Sequence, residues 1–266
     1  MKVVLVMPAL DEGATLARLA DELLHLPGHT VAHVIVVDDG STDGCVEHLP
    51  PNARLSTLRH ATNEGKARAL IDGMQRALAL DADLVVTMDG DGQHRPQDVA
   101  RLVQAAHAHD GAIIIGARLA DRDAIPGARY RANRFANFWV AWASGYPVVD
   151  SQSGFRAYPA RIARDVLPAL DRRYPAGARG RRKGFVFDSE ILIEAGRRGC
   201  ATVAVRIPAL YGAAGTLRAS HFRPVADITQ IVLMVAGHLL RQGMNLPGLW
   251  RSMGRADPEP VRRAGS

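Results

Sequence analysis

The sequence predicts an α/β protein built on a mostly parallel sheet with helices on both faces. Three observations carry that expectation. Short apolar runs recur through the first 117 residues, they are apolar on both faces instead of alternating, and segments with helical spacing separate them. The runs are "VVLVM" (3–7), "HVIVVDD" (33–39), "ARLSTLR" (53–59), "LVVTMDG" (84–90) and "AIIIGAR" (112–118). Between them, residues 13–26, 65–80 and 96–109 place Leu, Ala, Val and Met three and four apart, and Pro96 suits a first helical turn.

After residue 118 the pattern changes. Residues 131–144, with Phe135, Phe138, Trp139 and Trp142, read as a helix that leads to "VVDSQSGFRAYP". "YPAGARGRRKG" (174–184) reads as a loop, "FVFDSEILIEAGRRG" as a helix and "ATVAVRIP" as a strand. "ADITQIVLMVAGHLL" (226–240) is strongly apolar, yet its 15 residues span only about 22 Å as a helix. It is therefore expected to pack, or to lie in a membrane interface, and not to cross a bilayer. The pattern divides the chain into an alternating strand–helix region over 1–117, a changed region over 118–222, a helical segment over 223–250 and a disordered, charged tail over 251–266.

Composition narrows the chemistry. The chain has 266 residues, 47% hydrophobic and 23% charged, as an ordinary globular protein does. Its net charge of +6 hides an asymmetry: residues 1–117 have 9 Lys/Arg against 16 Asp/Glu, and residues 118–223 have 19 against 8. An acidic half followed by a basic half suits a site where a cation meets an anionic ligand, or a basic face on anionic lipid. Nucleic acid is not expected, because aromatic residues are only 5% and the arginine clusters lack interleaved stacking partners. Cys45 and Cys200 have neither CxxC spacing nor a secretory context, and "VVLVM" is too short for a signal peptide. A cytoplasmic location, at the inner face of the cell membrane, is the expectation.

In parallel sheets ligands bind beyond the carboxyl ends of the strands, and that is where carboxylates and glycines collect. "PALDEG" follows the first run, "VVDDGSTDG" the second and "MDGDGQH" the fourth. Asp89 and Asp91, one residue apart at a strand end, suit a hard divalent cation such as Mg²⁺ or Mn²⁺, with Gly90 and Gly92 leaving room for a diphosphate and Gln93 or His94 adding a ligand. A plain Asp-Gly turn competes with this. A calcium loop does not, since the twelfth position counted from Asp89 is Ala100. Asp38 or Asp39 could accept hydrogen bonds from a nucleobase or ribose, or simply fill a turn. "NEGKARAL" (63–70) sets a glycine and Lys66 at a helix start, where free amides and a cation suit an anion. Neither GxGxxG after the first strand nor GxxxxGK[ST] is present.

In this order, "PALDEG", "VVDDGSTDG", "NEGKARAL", "MDGDGQHRPQD", "GAR" (116–118) and "DSQSGFRAY" (150–158) resemble the family 2 glycosyltransferases, most closely the dolichyl- and polyprenyl-phosphate sugar transferase branch. The resemblance covers about residues 1–215. It implies the Rossmann-like GT-A fold, a nucleotide-diphosphate-sugar donor bound by the half over 1–117, an acceptor bound by the half over 118–222, a divalent cation and inversion at the anomeric carbon. Pro8, Asp11, Glu12, Asp39 and Lys66 would surround the nucleotide; Asp89, Asp91 and Gln93 would hold the metal; Arg118 would face phosphate. Arg131, Arg134 and Arg156 would help bind an anionic acceptor, and Ser220 of "RASHFRP" (218–224) would lie near it. Asp11 stands where the family usually has asparagine.

A lipid phosphate acceptor is already anionic and needs no general base; a hydroxyl acceptor does, and Asp188 or Glu190 in "FDSE" are the candidates. Many bacterial members add two long membrane spans, and this chain has only the short apolar helix, so peripheral membrane contact or recruitment by a partner is expected. QxxRW is missing, which favours transfer of a single sugar. A sugar-1-phosphate nucleotidyltransferase would instead carry a glycine-rich basic loop after the first strand. A non-catalytic nucleotide-sugar- or lipid-binding subunit is the remaining alternative.

Overall fold

The computed structural model describes residues 1–13, 15–118, 127–177, 184–208, 224–243 and 245–253. Seven strands form one sheet: β1 (Val3–Ala9), β2 (His33–Asp38), β3 (Leu55–Arg59), β4 (Leu84–Thr87), β5 (Ile113–Ala117), β6 (Arg156–Pro159) and β7 (Thr202–Arg206). Their order is β3-β2-β1-β4-β6-β5-β7, and only β6 runs antiparallel to its neighbours β4 and β5.

Strand alternation explains why the sheet is apolar on both faces. Val4, Val6, Ile35, Val37 and Val85 point to one side, where they pack with α2 (Lys66–Ala79), α5 (Ala160–Arg173) and α6 (Gly184–Arg197). Leu5, Met7, Val34, Val36 and Val86 point to the other, against α1 (Leu16–Leu24) and α3 (Val99–Ala108). The first side extends outward through α4 (Gly127–Ser144) and α7 (Pro224–Gln242), while α8 (Leu246–Met253) packs on α4. The mostly parallel sheet with helices on both faces is thus as expected. No helix among the described residues is long and apolar enough to cross a membrane.

Two elements went unread in the sequence. β6 is four residues of "RAYP", and it inserts between β4 and β5, so strands from both expected halves are knitted into one sheet. α5 follows at once; its Ile162, Ala163, Val166, Leu167 and Leu170 are buried at helical spacing, a signal the sequence does contain. α8 carries helix to Met253, into the segment expected to be a disordered tail; residues 254–266 lie outside the described residues. So do Ser220, most of "RASHFRP" and most of the loop at 174–184.

Candidate active site

The carboxyl ends of β1, β2 and β4 meet at one edge, and their loops are stitched together. Thr15 Oγ1 donates to the Gly90 carbonyl at 2.6 Å, tying the turn before α1 to the loop after β4. Asp43 Oδ2 accepts from Gly13 N at 2.9 Å, Asp11 Oδ1 accepts from Thr42 N at 2.8 Å and Ser41 Oγ accepts from Asp11 N at 3.0 Å. Asp11 holds a left-handed backbone, φ 53°, where Asp and Asn are the tolerated side chains.

At the centre Lys66 Nζ lies 2.8 Å from Asp89 Oδ1, 3.0 Å from Asp89 Oδ2 and 3.1 Å from Asp188 Oδ2. Three distant segments supply this cluster: the first residue of α2, the loop after β4 and α6. Burial works against the Lys66 ammonium, but Asp188 and Asp89 raise its pKa overall. Burial likewise works to raise Asp89, and the Lys66 cation outweighs it and holds that carboxyl low. Asp91 is pushed up, first by burial and then by the charge of Asp89. Asp188 is also pushed up by burial, despite Lys66 and Arg156 nearby. Burial pushes the His94 imidazole down to about 3, so it is neutral, stacked 5.0 Å from Phe155.

Gly154, after the Asp150–Ser153 turn, completes the floor. A Cβ there would lie 2.5 Å from Asp89 Oδ2 and 2.9 Å from Lys66 Nζ, so any larger residue would push the ends of these two side chains out of their present positions. The sequence quotation "DSQSGFRAY" contained this residue without assigning it a role; its use depends on a contact 65 positions away in the chain, with Asp89.

Several expected residues sit close to the cluster and others do not. Pro8 is buried in β1, Glu12 opens the turn into α1 and the Gln93 backbone N–H donates to Asp91 Oδ1 at 2.9 Å. Arg118 is nearly buried; its Nε lies 3.4 Å from Asp150 Oδ2, and its charge helps to lower Asp89. Asp39 accepts from Glu64 N at 2.9 Å, Gly65 N at 2.8 Å and lies 2.8 Å from His60 Nδ1. Its carboxylate therefore braces the turn that delivers Lys66, which was not foreseen.

Two candidates are buried and engaged within the protein. Arg156 is fully buried, with Nη1 donating to the Asp188 carbonyl and Nη2 to the Ser151 carbonyl at 2.8 Å. It lies beneath the cluster, with its guanidinium turned to these backbone carbonyls. Glu190 is also buried: it accepts from Tyr174, lies 2.8 Å from Arg173 Nη1 and 3.2 Å from His238 Nε2. Two residues along a helix is about 200° of turn, so Asp188 and Glu190 face opposite sides of α6. Arg131 and Arg134 are exposed on α4, and Arg134 lies over the Tyr130 ring.

Among the described residues no three His, Cys, Asp or Glu side chains gather in a way that could hold a metal ion. Two neighbouring carboxylates, one of them raised by the other's charge, nevertheless suit a Mg²⁺ or Mn²⁺ ion, which takes one or two protein carboxylates and completes its shell with phosphate and water.

Comparison with known proteins agrees with this architecture. A search of solved structures finds glucosyl-3-phosphoglycerate synthase from Mycobacterium tuberculosis, crystallised with Mn²⁺, uridine diphosphate and glucosyl-3-phosphoglycerate, at TM-score 0.59 and 20% identity; the match covers 91% of this chain and 79% of that one. At that identity the likeness speaks for the GT-A fold alone. Among curated proteins, undecaprenyl-phosphate mannosyltransferase from Micrococcus luteus is 29% identical over 78% of this chain and 83% of its own length. UDP-N-acetylglucosamine–dolichyl-phosphate N-acetylglucosaminyltransferase from Methanococcus voltae is 28% identical over 58% and 68%. Polyprenol monophosphomannose synthase from Mycolicibacterium smegmatis is 26% identical over 77% and 76%. The profile described as glycosyl transferase family 2 matches residues 4–166, more than half of the sequence, and on that ground the chain belongs to glycosyl transferase family 2.

Proposed function

We propose that this protein transfers one sugar from a nucleoside-diphosphate sugar to a polyprenyl-phosphate acceptor, with inversion and with a divalent metal. The observation that carries the reading is the Lys66–Asp89–Asp188 cluster beside Asp91 at the carboxyl edge of the sheet. The names of the curated relatives, which act on dolichyl, undecaprenyl and polyprenol phosphates, supply the acceptor class.

Asp89 and Asp91, with Gln93 adjacent, would hold Mg²⁺ or Mn²⁺ on the donor diphosphate. When bound, that ion supplies charge neutralisation for the departing nucleoside diphosphate. Lys66, already anchored by two acids, can turn one donor hydrogen to a phosphate oxygen while another stays on Asp188, and Pro8, Asp11 and Glu12 border the nucleotide side. Asp39 acts indirectly, by fixing Glu64 and Gly65. Arg118, Arg131 and Arg134 supply positive charge on the acceptor side. An anionic acceptor attacks without losing a proton, so no base is required.

A second reading, transfer to a hydroxyl, draws on the raised pKa of Asp188, the direction a base needs. The two readings separate on incubating the full chain with mixed UDP- and GDP-sugars, Mn²⁺ and either a polyprenyl phosphate or the matching polyprenol, with mass spectrometry of the lipid extract. A glycosyl phosphate product supports the proposal. Failure of every nucleotide to bind, with or without Mn²⁺, overturns it.

A further inference from the structure

Apart from Met1, every large apolar side chain that the described residues expose lies on three helices. They are Phe135 and Phe138 on α4, Leu233 and Leu240 on α7, and Leu246 and Trp250 on α8; Leu240 is 86% and Trp250 79% exposed. α7 and α8 both pack against α4, so the six belong to one helical layer on the outside of the molecule. Within each helix the exposed residues are spaced by three, four or seven, which is a stripe and not a scatter. Side chains left out of the core in this number would be a solubility liability unless something covers them.

Charge identifies the cover. In sequence α4 has three arginines and no acid, α8 one arginine and no acid, and α7 one arginine and one acid, Asp227. Arg131 and Arg134 are exposed, and Arg131 continues the Phe135–Phe138 stripe one turn towards the start of α4. A second copy of the chain would bring these arginines together across a two-fold axis with Asp227 as the one acid on the three helices to meet them, a net repulsive contact. Aromatic and aliphatic stripes edged with arginine suit the headgroup region of an anionic bilayer, where rings and methylenes enter the interface and guanidinium groups meet phosphate.

We propose that α4, α7 and α8 form a bilayer-binding face, with Phe135, Phe138, Leu233, Leu240, Leu246 and Trp250 entering the interface and Arg131 and Arg134 meeting anionic headgroups. The inner side of α4 leads directly to the site: Asn137 donates to the Val149 carbonyl and accepts from Ser151 N at 2.9 Å, in the turn that precedes Gly154. On this arrangement α4, and the 149–154 turn it holds, lie between the bilayer and the cluster. This places a membrane where the proposed lipid acceptor would come from, and its purpose rests on that reading, although the binding itself does not.

The test is flotation of the full chain with phosphatidylcholine vesicles, with and without about 30% phosphatidylglycerol. The wild type is expected to float with the anionic vesicles and to be released by salt. In the double variant Leu240→Glu/Trp250→Glu, partitioning should fall at least about tenfold, since burying one such side chain is worth that factor. Turnover of a short, water-soluble isoprenyl phosphate should remain. Leu233→Asp alone, at an exposed position, gives a second measure if the double variant folds poorly. A wild type that never floats, or variants that float like it, would overturn the proposal. A dimer in light scattering that the variants dissolve, without any vesicle effect, would do so too, in favour of a second copy. Vesicle binding without turnover of any acceptor would support the face while refuting the proposed function.

Discussion

Lys66→Met gives the most informative perturbation, because the stability change has a ceiling that depends on pH. In the native protein the Lys66 ammonium touches both Asp89 and Asp188, and Asp188 is buried with a side chain only 3% exposed. Removing the cation leaves Asp188 beside Asp89 without its ion-pair partner. A buried carboxylate in that position takes up a proton instead of remaining charged. For a carboxyl with an ordinary pKa of about 3.9, the cost of protonation is about 4 kcal/mol at pH 7 and about 1.5 kcal/mol at pH 5, so the part of the penalty that comes from Asp188 cannot exceed those values. The sign follows from the direction of the shift. Asp188 is already raised by burial, and losing Lys66 raises it further. An acid raised on folding costs nothing below its unfolded pKa, and the cost grows as pH climbs towards the folded value. Urea unfolding of wild type and variant at about pH 7 and pH 5 should therefore show a large gap at the first and a small one at the second. The kcat/KM for the donor should fall by about a hundredfold, the scale of losing one preorganised phosphate contact. An equal gap at both pH values would refute the buried-pair reasoning, and unchanged kcat/KM would remove Lys66 from the donor site.

Other substitutions divide chemistry from architecture. Gly154→Ala should cut turnover by at least about tenfold, because the new methyl displaces Asp89 or Lys66, with only a small change in melting temperature; wild-type turnover would show that the pair need not sit where it does. Asp91→Asn should abolish turnover yet melt at or above the wild-type temperature, since it removes a like charge that Asp91 itself resists; a marked loss of stability would mean Asp91 is structural. Glu190→Ala should cost about 3–5 kcal/mol, as breaking a buried ion pair does, and leave the donor KM unchanged. Burial raises Glu190, but its His238, Tyr174 and Arg173 partners lower it overall, so its stabilisation is present above the unfolded pKa and is lost as pH falls through the lower folded value. A stable Glu190→Ala protein with a collapsed kcat would restore Glu190 as a base.

What could be read in advance depended on whether the signal was local. Strands β1, β2, β4 and β5 are apolar on both faces, which only a doubly covered sheet permits, and the helices between them show a 3.6-residue period. β6 escaped notice because four residues have no periodicity to measure, and its pairing with β4 and β5 is a fact about their ends and not its own. α5 does carry a local signal, with Ile162, Ala163, Val166, Leu167 and Leu170 at helical spacing.

The site divided in the same way. Sequence alone determined that Asp89, Asp91 and Lys66 stand at strand and helix ends on the ligand edge of the sheet, because element order in a parallel sheet fixes which loops share that edge. It could not decide between Asp188 and Glu190, since a helix start favours both, and only the rotation of α6 sends one to Lys66 and the other to Arg173 and His238. Nor could it show that Arg156 is buried beneath the cluster, that Asp39 braces the turn before Lys66, or that Gly154 is small because Asp89 lies above it. Those outcomes were set by packing between residues far apart in the chain: desolvation and close contact depend on what the fold brings near, and a run of letters records only which groups are available.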